Sequence, residues 1–330
     1  MFLIWIKFLV SAAILVFAAI KLAEYGDIIA VRTKISGMFI GLLLLAGATS
    51  LPEFLTTINS ISIGSPDLAA GNMFGSNMVN MLLLGLIDLM SRRTRVLRKV
   101  AQRHALSGAI AVFLIGTATF FIMANIDIKI GWVGLDSLIL MACYIVGLRI
   151  IQNSANPSPS TDDTPISPDY PSLKKGIIGF SIATVVLILV MPILVQTSNE
   201  IAILTGLGTG FIGTALVALV TSLPELVTTI TAIRLGVYDL AIGNLFGSNM
   251  FNIFSLAMAD FFMTDGRFLS TISQDFVLVG LIGLLMTGLA LIGNLAKIEK
   301  RIFFIEIDAI LLILIYFLGM LLIYSKGIGI

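Results

Sequence analysis

The sequence predicts an all-α membrane protein whose ten transmembrane helices form two inverted five-helix repeats. Three observations predict it. The 330-residue chain is 58% hydrophobic and only 12% charged, against roughly 25% charged residues in soluble domains. That leaves too few polar groups to coat a globular surface. The apolar residues fall into ten continuous runs of about the 20 residues that a helix needs to cross hydrocarbon. A 32-residue segment then recurs after a polar linker that divides the chain nearly in half.

The predicted spans run over residues 3–23, 36–62, 67–90, 105–124, 129–149, 175–196, 208–234, 239–262, 275–297 and 302–324. They are long and unbroken, whereas a β-barrel would show short alternating strands. Only Lys7 precedes the first apolar run, and no small-x-small cleavage pattern follows it. It therefore reads as a retained span rather than a signal peptide. Between spans 3 and 4 lie Arg92, Arg93, Arg95, Arg98, Lys99 and Arg103. By the positive-inside rule that loop is cytoplasmic. Of the 20 Lys and Arg, Lys7, Lys129, Arg267 and Lys326 fall on the opposite side, leaving 16 on this one. Both termini are then expected outside a cell membrane of prokaryotic type. Residues 152–174, rich in Pro, Ser and Asp without apolar period, read as a cytoplasmic linker. They separate a first repeat, 1–151, from a second, 175–330.

Residues 49–80 and 221–252 align without a gap at an offset of 172, with 21 identities in 32 positions. The shared TSLPE, TTI, DLA, GN and FGSNM stand in register, which common apolar composition does not produce. The copies occupy spans 2–3 and 7–8. Five spans separate equivalents, an odd number, so the copies enter the membrane from opposite sides. Inverted repeats with polar residues at matching depth are the pattern of secondary transporters.

Glu53 and Glu225 lie inside apolar spans, each about nine residues, or about 14 Å of helix, from the nearer end. That is close to the middle of a ~30 Å core, where an ionised side chain costs at least about 2.5 kcal/mol. No Lys, Arg or His stands at matching depth in the motifs, so a bound cation is the economical partner, with protonation as the option for the empty state. Thr49 and Ser50 precede Glu53 by four and three residues, on the same helical face, as Thr221 and Ser222 precede Glu225. Pro52 and Pro224 lack an N–H and leave the carbonyls of Ala48 and Val220 without their helical donor. Carboxylate, hydroxyl and carbonyl oxygens are hard ligands, suited to Ca²⁺ or Na⁺. In the second motif, Ser76 and Asn80 share a face, as do Ser248 and Asn252. Gly71 and Gly75, with Gly243 and Gly247, are small residues that let helices approach. Asn77 and Asn249 read equally as ligands or as interhelical hydrogen-bond partners. Asp67 and Asp239 read as helix N-caps, and Asp88 and Asp260 as interfacial.

Other chemistries find little support. One cysteine, Cys143, allows no internal disulfide, and one histidine, His104, allows no His-rich metal site. His104 sits near the basic loop, away from any serine at mid-depth, and the central carboxylates are not paired aspartates. No nucleotide-binding loop is present, and a net charge of +1 gives nucleic acid nothing to hold. The expected partners are inorganic cations and the lipid bilayer. The chain is not expected to be an enzyme or to carry a cofactor.

The two motifs, ATSLPE/VTSLPE and GNMFGSN/GNLFGSN, resemble the α-repeats of the cation/calcium exchanger superfamily, and more its prokaryotic sodium/calcium exchanger branch than its proton-coupled one. The motif match covers about 64 residues, two copies of 32, and the ten-span layout covers the whole chain. The resemblance implies a secondary antiporter that exchanges Ca²⁺ for Na⁺ by alternating access. It implies Ca²⁺ between Glu53 and Glu225 with the carbonyls of Thr49 and Thr221. It implies Na⁺ at Ser50, Ser76, Ser222 and Ser248 with those glutamates and the carbonyls near Ala46 and Ala218, and a middle site at Asn80 and Asn252. The prokaryotic pattern has Asp at the position of Asn252, so this chain offers two central carboxylates instead of three. An exchanger of the same fold that couples Ca²⁺ or another cation to H⁺ or K⁺ is the alternative. Spans 1 and 6 would slide as a gate over a static core.

Overall fold

A computed structural model describes residues 2–62, 64–90, 96–154, 170–204, 219–264, 266–296, 301–302 and 305–328. The basic residues Arg92, Arg93 and Arg95, most of the linker and the first part of predicted span 7, including Ala218, lie outside them. The helices are α1 (Phe2–Thr33), α2 (Gly37–Ser62), α3 (Pro66–Met90), α4 (Val96–Ala124) and α5 (Leu135–Ser154). After the linker come α6 (Leu173–Leu204), α7 (Leu223–Arg234), α8 (Tyr238–Met258), α9 (Phe276–Ala296) and α10 (Ile307–Ser325). Among the described residues, eight helices are long and apolar enough to cross a membrane: α1 to α6, α9 and α10. The chain is thus a multi-pass, mostly helical membrane protein.

Several boundaries differ from the sequence expectation. Helix α1 continues about ten residues past the first apolar run, to Thr33. It can do so because Lys21 pairs with Glu24 at 2.7 Å, and Asp27 accepts from the Tyr170 hydroxyl at 3.1 Å. Arg32 donates from Nε to the Pro171 carbonyl at 2.8 Å and also bonds the Tyr170 carbonyl, tying the linker's end to α1. Partial burial, with Asp27 beside it, pushes the Tyr170 hydroxyl up to about 12. It therefore stays a donor at neutral pH.

Predicted span 5 begins late. Residues 129–130 pair with 133–134 in a small antiparallel hairpin, turned at Gly131 with φ +69°. Asp260 fastens this hairpin. It is fully buried and accepts from the Gly134 and Phe268 amides at 2.7 and 2.6 Å. Arg267 is buried as well, with Asp136 at 3.2 Å and Asp127 at 3.3 Å.

The helices sort into two packed groups. One apolar core joins α3, α4, α5, α8, α9 and α10 around Phe74, Met78, Phe246 and Met250. A second joins α1 and α6, through Leu15, Leu22, Leu187 and Leu194, to Ile40, Leu45, Val220 and Leu240. Burial separates them: 83% of the spanning window of α3 is buried, against 22% for α1 and for α6. Helices α1 and α6 therefore form a peripheral pair with a mostly apolar, lipid-ready outer face. Helix α8 is the opposite, with every position from Leu240 to Met250 buried.

Candidate cation-binding site

Local geometry in the two motifs begins at matched turns. Gly64 and Gly236, equivalent at the offset of 172, take φ of +71° and +80°. Such left-handed conformations favour glycine, and they end α2 and α7 alike. In both copies the chain re-enters a helix within a few residues, so each glutamate helix packs beside its GN-x-FGSN helix. Asp67 and Asp239 do not cap these helices. Asp67 instead accepts from the Ser273 amide at 2.7 Å. Asp239 lies 3.2 Å from the buried His104 Nε2.

Small residues bring the helices close. Helix α2 contains a π-helical stretch, Ile40–Leu45, a departure common at functional sites. Against it lies the Gly243/Gly247 face of α8. A Cβ on Gly243 would meet the Met38 carbonyl oxygen at 2.7 Å, and one on Gly247 the Leu42 carbonyl oxygen at 2.5 Å. In the first copy a Cβ on Gly71 would meet the Phe276 ring at 3.1 Å, and one on Gly75 would meet nothing within 4 Å among the described residues.

The structure brings the predicted site residues together where α2, α3, α7 and α8 meet. Glu53, Glu225, Thr49, Thr221, Ser50, Ser222, Ser76, Ser248, Asn80 and Asn252 are all at most 2% exposed. The copies touch directly: the Ser50 hydroxyl donates to Glu225 Oε1 at 3.1 Å, and Thr49 Oγ1 lies 3.4 Å from Asn244 Oδ1. Ala46 is buried, and its carbonyl accepts from Thr49 Oγ1 at 3.3 Å. Asn72 and Asn244, whose part the sequence left unassigned, clamp the glutamate helices. Asn72 Nδ2 donates to the Glu53 carbonyl at 3.0 Å. Asn244 Nδ2 donates to the Glu225 carbonyl at 3.5 Å and to Thr228 Oγ1 at 3.0 Å.

Asn77 and Asn249 prove to be interhelical partners. Asn80 Nδ2 donates to Asn249 Oδ1 and Asn252 Nδ2 to Asn77 Oδ1, each at 3.0 Å. With each nitrogen donating, Asn80 and Asn252 keep carbonyl oxygens that have no partner among the described residues. Glu53 Oε2, Glu225 Oε2, Ser76 Oγ, Ser222 Oγ and Ser248 Oγ are likewise buried there without a hydrogen-bond partner. An unmet buried polar atom costs about 1–3 kcal/mol, so seven together call for a ligand. Ser222 sharpens the point: it stands at the N-terminus of α7 but makes no side-chain cap. The set is two carboxylates plus neutral oxygens. Among the described residues no cluster of three His, Cys, Asp or Glu forms a metal site.

The family model described as "Sodium/calcium exchanger protein" matches residues 3–151 and 175–325. The uncharacterized membrane protein MJ0091 of Methanocaldococcus jannaschii is 29% identical over 238 residues, 71% of this chain and 74% of its own length. The sodium/calcium exchanger MaX1 of Methanosarcina acetivorans is 52% identical over 60 residues, 18% of this chain and 17% of its own. A solved structure of the sodium-calcium exchanger NCX_Mj superimposes with a TM-score of 0.72 at 22% identity, covering 97% of this chain and 99% of that one.

Proposed function

Because the chain belongs to the sodium/calcium exchanger family, and so is a cation antiporter and no enzyme, we propose that it exchanges Ca²⁺ for Na⁺ across a prokaryotic cell membrane. One observation carries the reading: partnerless carboxylate, hydroxyl and amide oxygens from both motif copies are buried together at the junction of α2, α3, α7 and α8. Two ionised glutamates, Glu53 and Glu225, match the charge of one Ca²⁺. Hydroxyls of Ser50, Ser76, Ser222 and Ser248, the carbonyls of Ala46, Thr49, Thr221 and Ala218, and the amide oxygens of Asn80 and Asn252 suit Na⁺ ions or complete the Ca²⁺ shell. Overlapping oxygens then couple the two ions, since one occupant displaces the other.

Ten spans in two inverted repeats, 1–151 and 175–330 about the 152–174 linker, give the alternating access that this exchange requires. The linker is cytoplasmic and both termini outside. The shallow burial of α1 and α6 supports their sliding as a gate over the core. Asn252, neutral where the prokaryotic pattern is acidic, favours one alternative, coupling to H⁺ or K⁺.

The test is Ca²⁺ uptake into Na⁺-loaded vesicles by the wild type and by Glu53→Gln and Glu225→Gln. Wild-type uptake lost in both variants supports the reading. Full activity in either variant removes that glutamate from the site.

A further inference from the structure

Thr287 on α9 lies outside both motifs and is fully buried. Its hydroxyl donates to the Gly283 carbonyl at 2.8 Å. A hydroxyl has one proton, so toward Asn249 the oxygen serves as an acceptor. Asn249 accordingly presents Nδ2 to Thr287, at 3.3 Å, and Oδ1 to Asn80. Asn80 presents Nδ2 to Asn249, at 3.0 Å, which leaves Oδ1 as the partnerless buried atom. Each amide orientation follows from the one before, beginning at Thr287.

The other side lacks this start. Asn252 Nδ2 donates to Asn77 Oδ1, but Asn77 Nδ2 is buried without a partner among the described residues. At the offset of 172, Gly108, Gly116 and Ala118 recur as Gly280, Gly288 and Ala290, which puts Ile115 in the place of Thr287. Isoleucine has no acceptor to hold an amide. Asn77 and Asn252 can turn over together and keep one hydrogen bond between them. A turned Asn252 would present its N–H₂ where Oδ1 now stands, which a cation repels.

We propose that Thr287 is a positioning residue that presets the Asn80 amide oxygen as a cation ligand through Asn249, while Asn252 is turned by the ion itself. This rests on the reading of the junction as the transport site. A preset oxygen binds without reorganisation, so Thr287 acts on affinity and leaves the translocation step alone.

The experiment is saturable Ca²⁺ uptake into Na⁺-loaded proteoliposomes, comparing wild type, Thr287→Val, Thr287→Ser and Ile115→Thr. Thr287→Val keeps the shape and removes the acceptor. Its KM is expected to rise about fivefold, the worth of one neutral hydrogen bond, with kcat within about twofold. Thr287→Ser should keep the wild-type KM. Ile115→Thr, which by the repeat would offer Asn77 the missing acceptor, should lower KM by a similar factor. An unchanged KM in Thr287→Val, or a serine variant that behaves like valine, overturns the proposal. If Thr287→Val does not fold, Ile115→Thr decides, and an unchanged KM there overturns it. A wild type that takes up no Ca²⁺ overturns the reading of the site and this proposal together.

Discussion

The first and second motif copies share 21 of 32 residues and hold their glutamates in different backbones. In the first copy the helix is unbroken from Ala46 to Ser62, through Pro52. In the second the helical turn at 219–221 stops at Ser222, and α7 starts afresh at Leu223. Ser50 donates to the glutamate of the opposite copy, whereas Ser222 Oγ has no partner. Thr287 supports one asparagine pair, and its equivalent at the offset of 172 is Ile115. Segments that share 21 of 32 residues thus adopt two conformations in one chain. That is what alternating access asks of paired repeats, since the two halves must differ whenever one side is open.

Four pairs of substitutions test the difference between the copies. The largest effect is expected from Glu53→Gln and Glu225→Gln. Each leaves a single buried carboxylate, one negative charge short of matching Ca²⁺. By analogy with breaking a buried ion pair, about 3–5 kcal/mol, uptake should fall by at least about 100-fold in both. A large loss in one copy alone would show that the copies share the ion unequally.

Next comes the asparagine pair. Asn80→Asp sets a carboxylate against Asn249 Oδ1, which Thr287 holds as an acceptor. Asn252→Asp meets Asn77, whose free Nδ2 can turn to donate. Uptake should therefore suffer about tenfold more in Asn80→Asp, the scale of one unmet buried acceptor. Equal losses would mean that the two sides are alike.

Gly247→Ala pushes a methyl onto the Leu42 carbonyl oxygen at 2.5 Å. It should lower stability by about 1–3 kcal/mol, read as thermal unfolding of the purified protein in detergent. A Cβ on Gly75, at the equivalent position, meets nothing within 4 Å among the described residues, so Gly75→Ala should leave the unfolding temperature unchanged. An equal loss in both variants would mean that the two copies pack alike.

The smallest effect separates the serines. Ser50→Ala removes a made hydrogen bond and should destabilise by about 1 kcal/mol. Ser222→Ala removes only an unmet hydroxyl. It should leave stability unchanged and weaken Na⁺ dependence of transport.

Much of this was legible in the chain because a membrane makes charge conspicuous. Glu53 and Glu225 stood out as carboxylates inside apolar runs, and the repeat tied Thr49, Ser50 and Ser76 to Thr221, Ser222 and Ser248 by register alone. Helix ends were less legible. Apolar content placed residues 129–134 in a span, but a turn at Gly131 and the capture of the Gly134 amide by Asp260 made them a hairpin. Asp67 and Asp239 stood where N-caps stand, yet tertiary partners claimed them. The amide network was legible only as far as Asn77 and Asn249, read as ligands or interhelical partners. Thr287 lies 38 residues from Asn249, outside the motif, and only packing of α9 brings them together. The one available signal was a polar residue in an apolar run opposite Ile115.

The central claim is that Na⁺ drives Ca²⁺ through the paired glutamates. The direct test is isotopic Ca²⁺ uptake into proteoliposomes under an imposed outward gradient of Na⁺, K⁺ or H⁺ in turn, with membrane potential clamped. The account predicts rapid uptake with the Na⁺ gradient and background uptake with the other two. Uptake that ignores the Na⁺ gradient, or that follows only K⁺ or H⁺, would contradict it.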